Sequence, residues 1–202
     1  MDSKQWDQRY SGTAYEWSTR PNQFVESELA GLVPGRALDL ASGEGRNSVW
    51  LATCGWRVTG VDFSAVGLEK GRRLAADHGV SVDWVHADLR DYVPDPGAFD
   101  LVVIAYLQLP WDELQPVLGR AAGALAPGGM LFIVGHDVLN LTEGIGGPQD
   151  PSVLYTPERL TSALSDLTVT RSGQVRRQVS ATASAVDTVV TATRLTRRGN
   201  RG

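Results

Sequence analysis

The chain has 202 residues, 42% of them hydrophobic, which is enough to bury one substantial core. Its formal net charge of −4 provides no general attraction for a nucleic-acid backbone or an anionic membrane. Cys54 is the only cysteine, which excludes an intrachain disulfide; no basic-then-apolar opening suggests secretion, and no apolar run approaches the roughly 20 residues of a membrane span. The expectation is a single cytosolic α/β domain over 1–195, monomeric or homodimeric, acting on a small molecule and taking neither nucleic acid nor membrane as partner.

In chain order, residues 1–35 read as an N-terminal arm and helix. Apolar runs then predict strands at 37–40, 57–61, 82–87, 100–105 and 130–135, with amphipathic segments between them. That alternation indicates a mostly parallel sheet with helical crossovers. A helix opens at Asn47, and Cys54 behind it reads as a small core or boundary residue. Ser64 caps a helix running to His78 that Gly79 terminates, and the helical pattern over 111–126 stops at Pro127-Gly128-Gly129. The 140–152 loop, rich in glycine and proline, has no periodicity and reads as a mobile wall over a substrate. Thr156-Pro157-Glu158 places an N-cap before a proline in the first turn. Residues 167–179 and 185–195 are β-branched and alternating, with no room for a crossover helix, and predict an antiparallel hairpin at the sheet edge. The tail, 196–202, carries Arg197, Arg198 and Arg201 and reads as a frayed, solvated end.

The chemistry concentrates at Ala37-Leu38-Asp39-Leu40-Ala41-Ser42-Gly43-Glu44-Gly45-Arg46-Asn47. An acid inside a strand is followed by a glycine-rich turn and the positive end of a helix, which is half of a nucleotide-like site. A dinucleotide site would carry a third glycine where Ser48 stands, and Asp39 would repel a pyrophosphate. Asp39 suits a cationic ligand with an ammonium group and no phosphate, and S-adenosylmethionine is such a ligand. Asp62 ends the second predicted strand, where a carboxylate accepts from both ribose hydroxyls or else caps the following helix. Asp88 ends the third, where it accepts from an adenine amino group under Leu89 or else makes a strand-end turn.

The Asp-x-Ala-x-Gly-x-Gly pattern resembles motif I of class I methyltransferases, with Ala41 where many members carry a glycine. Phe99-Asp100-Leu101-Val102-Val103-Ile104-Ala105-Tyr106 resembles motif IV, and Leu125-Ala126-Pro127-Gly128-Gly129-Met130-Leu131 resembles the entry to the fifth strand. Trp6-Asp7-Gln8-Arg9-Tyr10, Ser18-Thr19-Arg20-Pro21 and Gly43 to Ser48 are similar, more narrowly, to the TehB and thiopurine-methyltransferase-like group. The resemblance implies a doubly wound seven-stranded sheet whose final strand is antiparallel. It implies S-adenosylmethionine as cofactor, S-adenosylhomocysteine as product, and cofactor contacts at Asp39, Ala41, Ser42, Gly43, Gly45, Asn47, Asp62, Phe63, Ser64, Asp88, Leu89 and Ala105. It further implies an N-terminal lid with Arg20 near the cofactor carboxylate and with Tyr10, Tyr15 and Trp17, together with Tyr106, beside the substrate; for the aromatics, a packed arm is the alternative.

A sulfonium methyl is already activated, so transfer requires chiefly that a nucleophile be oriented in a dry site. The expected acceptor is a soft nucleophile: a thiol, selenium or tellurium species. Oxygen or nitrogen acceptors, or a non-catalytic cofactor-binding protein, are the alternatives. Base methylation of nucleic acid fits poorly, because Ala105-Tyr106-Leu107-Gln108 stands where an Asn/Asp-Pro-Pro-Tyr motif is usual. His136, after the fifth strand, is the candidate base, and Arg176 and Arg177 are candidates to steer an anionic substrate. His78 and His86 read as structural, and no metal constellation appears.

Overall fold

The computed structural model describes residues 2–196, so the basic tail from residue 197 onward lies outside the described residues. Seven strands form one sheet in the order β3-β2-β1-β4-β5-β7-β6. They are β1 (Arg36–Leu40), β2 (Arg57–Asp62), β3 (Asp83–His86), β4 (Phe99–Ala105), β5 (Leu125–His136), β6 (Thr168–Gln178) and β7 (Ser184–Thr193). β1 pairs parallel with β2 and β2 with β3, whereas β7 runs antiparallel to both β5 and β6. The α/β class and the antiparallel C-terminal hairpin thus match the expectation, with β7 inserted beside β5 and β6 outermost. Burial explains that order: β7 is buried along nearly its whole length, while β6 alternates and tolerates the edge.

The chain divides into two compact units, 1–93 with 103–105, and 94–102 with 106–202. The first contains the helices α1 (Ser3–Tyr10), α2 (Gln23–Leu29), α3 (Arg46–Thr53) and α4 (Ala65–Asp77). Each has a local reason to start where it does. Asp2 and Gln5 make a reciprocal capping box for α1, Asn22 accepts from Phe24 and Val25 N–H at α2, and Ser64 accepts from Gly67 N–H at α4. Val25, Leu29, Leu38, Leu40, Leu51, Val61 and Leu68 are buried in this unit.

A half-buried tryptophan packs against the glycines of the first unit. A Cβ added at Gly45, Gly60 or Gly71 would come within 2.5, 2.8 and 2.7 Å of the Trp84 ring, so the indole occupies a slot floored by three glycines. Gly45 also has φ +83, a left-handed conformation that disfavours side chains. Its conformation and its contact with Trp84 both require glycine, which adds a packing role to the one expected of it at the turn.

The second unit contains α5 (Trp111–Ala124), α6 (Asn140–Glu143), a 3-10 turn (Pro151–Val153) and α7 (Pro157–Ser162), around a core that includes Leu101, Leu114, Leu118, Phe132, Ile133 and Val190. α5 ends at Ala124, and Pro127-Gly128-Gly129, expected to stop that helix after 126, instead lies inside β5, which begins at Leu125, five residues before the expected start. The ladder extends because Gly128 N–H donates to Arg194 O and Arg194 N–H to Gly129 O, with Gly128 turning through φ +85. Cys54, expected in the core or at its boundary, is exposed as the C-cap of α3. Among the described residues no helix is long and apolar enough to cross a membrane.

Candidate cofactor site and a buried acid cluster

In the first unit the glycine-rich turn is built around two buried acids. Asp39, on β1, is fully buried, and its Oδ2 accepts from Ser48 Oγ at 2.6 Å. Removal from water pushes its carboxyl up to about 7, against the Ser48 hydrogen bond and with the repulsion of Asp62 adding to the rise. Ser48, the residue that argued against a dinucleotide, therefore holds the motif's first acid. Ala41 takes φ +62 in the turn, where a glycine would be free and an alanine carries about 1–2 kcal/mol of strain.

Asp62 receives Gly43 N–H on Oδ2 and Ser64 N–H on Oδ1, both at 2.8 Å. It is 5% exposed, and burial raises its carboxyl above the ordinary range despite these bonds. Two of roughly four acceptor positions on a carboxylate are thus used, which leaves capacity for a pair of hydroxyl donors. Ser64 has both functions of its hydroxyl engaged, accepting from Gly67 N–H and donating to Asp7 Oδ1 at 2.6 Å; its place is the helix cap. Asn47 accepts from Asn22 N–H, tying α2 to the turn. Phe63 O is within 3.0 Å of His86 Nε2, and His78 Nδ1 of Leu74 O at 2.9 Å, so both histidines are engaged structurally, as expected.

Asp88 makes a strand-end turn with Arg90, whose guanidinium and backbone N–H hold its carboxyl below the usual range. Leu89 beside it is buried, and Ala105 ends β4. The arm folds over the turn. Tyr10 is 5% exposed, with its hydroxyl 3.0 Å from where a Gly43 Cβ would sit; burial pushes its phenol well up. Lys70 Nζ pairs with Glu44 Oε1 at 2.8 Å and donates to Ala14 O, while Glu16 N–H donates to Glu44, so the turn's own glutamate clasps residues 14–16. A cavity of about 450 Å³ is lined by Tyr10, Thr13, Tyr15, Val66, Lys70 and Arg73. Trp17 is half exposed, with Arg9 stacked 4.9 Å from its ring and its side chain against the Tyr10 hydroxyl, and Arg20 is exposed.

The fit of an adenosyl sulfonium cofactor to these residues rests on unused acceptors. Asp39 Oδ1 and Ser42 Oγ are buried without a hydrogen-bond partner, beside the spare capacity of Asp62. Anionic oxygens and a hydroxyl at a helix N-terminal turn suit a ligand carrying an ammonium group and ribose hydroxyls.

In the second unit Asp187, on β7, is fully buried. Its Oδ2 accepts from Arg177 Nε at 2.7 Å and Tyr106 hydroxyl at 2.8 Å, and its Oδ1 lies 3.1 Å from His136 Nδ1, off the line of an ideal N–H···O bond. Burial alone would raise this carboxyl, but the adjacent His136, the bonds from Arg177 and Tyr106 and the Arg177 charge hold it below the usual range. Tyr106 has φ +60 and stacks edge-on to His136 at 4.9 Å. Three sequence candidates therefore converge on an acid that the sequence reading did not single out. The available signal is an aspartate inside the apolar run Ala185-Val186-Asp187-Thr188-Val189-Val190. Arg176 is not part of this cluster: it is exposed and pairs with Glu143 at 2.6 Å. Alternation along β6 separates the neighbouring arginines onto opposite faces. Among the described residues no group of side chains could hold a metal ion.

The sheet order and the antiparallel β7 are the fold of the solved methyltransferase structures named below, and the acid-flanked glycine turn lies in the part of the chain that a methyltransferase family model matches. More particularly, residues 37–129 match the Methyltransferase domain family. A demethylmenaquinone methyltransferase from Clavibacter sepedonicus is 41% identical over 99 residues, 48% of this chain and 40% of that protein. The chain spans less than half the length of the first curated relatives it matches. Among solved structures, the N-methyltransferase NodS from Bradyrhizobium japonicum WM9 with S-adenosylhomocysteine bound has a TM-score of 0.73 at 16% identity, covering 95% of this chain and 97% of that one. TehB from Haemophilus influenzae has a TM-score of 0.71 at 16% identity, covering 95% and 66%.

Proposed function

We propose that the chain transfers the methyl group of S-adenosylmethionine to a small-molecule acceptor. The observation that carries this is the pair of buried, unused acceptors, Asp39 Oδ1 and Ser42 Oγ, beside an Asp62 already preorganised by two backbone N–H groups. Asp39 and the α3 N-terminal turn from Ala41 to Asn47 hold the methionine end, Asp62 with Phe63 the ribose, and Asp88 with Leu89 the adenine; Ser64 acts by capping α4. The cofactor supplies an electrophilic methyl whose bond to sulfur breaks with the electron pair staying on sulfur. The chain's own work is orientation and exclusion of water: Tyr10 and the Glu44–Lys70 clasp keep the arm over the turn, and well-ordered reactants supply several kcal/mol of the barrier reduction. In this reading Ala105, which ends the fourth strand, borders the acceptor, and Tyr15 of the arm is a further wall residue; Trp17 and Arg20, both exposed, are left out of it.

A soft nucleophile, with a thiol foremost, is the preferred acceptor, because it makes the least demand on a base. A second reading, a hydroxyl or nitrogen acceptor, is supported by a relative from Actinobacillus pleuropneumoniae, 26% identical over 114 residues, that is named as an O-methyltransferase of ubiquinone biosynthesis. Calorimetric titration with S-adenosylhomocysteine and with NADH tests the cofactor. Binding of the former, weakened at least tenfold by Asp62→Asn, is expected, since two hydrogen bonds to a charged group are at stake; binding of NADH alone would overturn the assignment. A methyl-transfer screen over thiols, phenols, amines, selenite and tellurite then identifies the acceptor atom.

A further inference from the structure

Two carboxylates lie buried at the cofactor turn, and their donors differ in kind. Asp62 accepts from the backbone N–H groups of Gly43 and Ser64, which can only donate and so favour an ionised carboxylate. Asp39, fully buried, is met on Oδ2 by the Ser48 hydroxyl at 2.6 Å, while Oδ1 has no hydrogen-bond partner among the described residues. A hydroxyl donates to an ionised carboxylate and accepts from a protonated one, so the Ser48 bond survives either state of Asp39. One such bond offsets only part of the cost of a buried charge, and the neighbouring carboxylate of Asp62 adds repulsion. The charged groups facing Asp39 are Asp62 from β2 and Arg46 from α3; Glu44, in the turn between them, is neutralised by Lys70. Burial is the largest influence on the Asp39 carboxyl and lifts it to about 7, against the Ser48 hydroxyl and backbone and the Arg46 charge. Asp62 in turn feels Asp7 and His86, which act in opposite directions. Donor chemistry thus separates the pair, with Asp39 the member built to hold a proton.

We propose that Asp39 is uncharged in the cofactor-free protein and loses its proton when the ammonium-bearing end of S-adenosylmethionine docks, so that cofactor capture releases a proton and weakens in acid. The inference rests on the methyl-transfer reading above and deepens its account of the methionine end. The proton leaves the Asp39 carboxyl for solvent, the electron pair of that O–H bond stays on the carboxylate, and the carboxylate pairs with the ligand ammonium. A cation brought beside a carboxyl makes it about 10- to 1,000-fold more acidic. From a starting value of about 7, the expected release is about 0.4–0.9 proton at pH 6, with a Kd about 5- to 50-fold weaker at pH 5 than at pH 7. The ligand's own α-ammonium, which titrates near about 8, stays charged over most of this window and exchanges little.

Calorimetric titration of the full chain with S-adenosylhomocysteine, in buffers of differing ionisation enthalpy at pH 5, 6 and 7, counts the protons. Asp39→Asn keeps the size of the side chain and removes its titration. In that variant the release at pH 6 should fall below about 0.2 proton and the Kd should change less than about twofold across the window. Exchange by His78, His86 or His136 persists in the variant and serves as the baseline. Carbon-13 NMR of the aspartate side-chain carboxyls, with the Asp39→Asn spectrum assigning the signal, gives a second readout that does not depend on the variant's affinity. A protonated Asp39 carboxyl is expected at pH 6 without ligand and an ionised one with it. Wild-type binding without proton release, a release that persists in Asp39→Asn, or an Asp39 carboxyl already ionised at pH 6 without ligand overturns the inference and leaves the cofactor assignment standing. Absence of binding at every pH strikes the methyl-transfer reading itself, and this inference with it.

Discussion

Replacing Gly71 by alanine should change sign with its neighbour. In an exposed helix interior the substitution stabilises by about 1 kcal/mol, because glycine loses more backbone freedom. In α4 the new methyl would meet Trp84 Cη2, Cζ3 and Cζ2 at 2.7, 3.0 and 3.1 Å. Gly45 and Gly60 close off two of the directions in which the ring could shift. Overpacking of this kind costs about 1–3 kcal/mol, so the net effect is a loss of about 0–2 kcal/mol. In a Trp84→Leu background the far ring carbons are gone, and Gly71→Ala should recover its helix gain of about 1 kcal/mol. The pair should therefore couple by about 1–3 kcal/mol in a double-mutant cycle. Urea unfolding of the four proteins, compared at constant m, reads this directly. Gly71→Ala stabilising the wild type by about the same amount as the Trp84→Leu protein would refute the reasoning.

Asp39, raised to about 7, binds a proton more readily folded than unfolded, so its contribution is fully present below about pH 4 and is lost as pH rises toward 7. Asp39→Asn should therefore gain stability over the wild type across that window, on the order of 4 kcal/mol at its top, because each tenfold change in proton affinity is worth about 1.4 kcal/mol; urea midpoints at pH 4 and pH 8 would show it. Lys70→Met leaves Glu44 buried and unpaired and should cost about 3–5 kcal/mol, with faster hydrogen exchange at residues 14–16; Glu44→Gln added to it should restore part of the loss. The neighbouring arginines should separate in urea: Arg176→Ala costs less than about 1 kcal/mol because its ion pair is exposed, whereas Arg177→Ala leaves buried Asp187 without its cation and costs about 3–5 kcal/mol.

Local rules account for what the sequence reading anticipated. Ser64 and Thr156 cap helices because a hydroxyl there meets free N–H groups whatever surrounds it, and the strand-ending Asp62 is set by the next helix start. The C-terminal hairpin follows from β-branched alternation without space for a crossover. Where partners are distant in sequence the reading fell short. β5 gains five residues because Arg194 pairs with Gly128 and Gly129, and Cys54 is exposed because α3 ends there at the surface. The N-terminal arm was legible as a covering segment, but its fastening through Asp7, Glu44 and Lys70 joins residues more than 25 positions apart.

The sequence by itself determined the α/β class and pointed to the cofactor class and to the acids Asp39, Asp62 and Asp88 as candidates, because each sits at a fixed offset from a strand end or a glycine and so belongs to local geometry. Only the tertiary structure decided what those positions do together. It packed Trp84 behind Gly45, left Asp39 Oδ1 and Ser42 Oγ without partners, and drew Tyr106, His136 and Arg177 onto Asp187. Burial and long-range contact set desolvation, proton placement and free acceptor capacity, and no spacing along the chain encodes them.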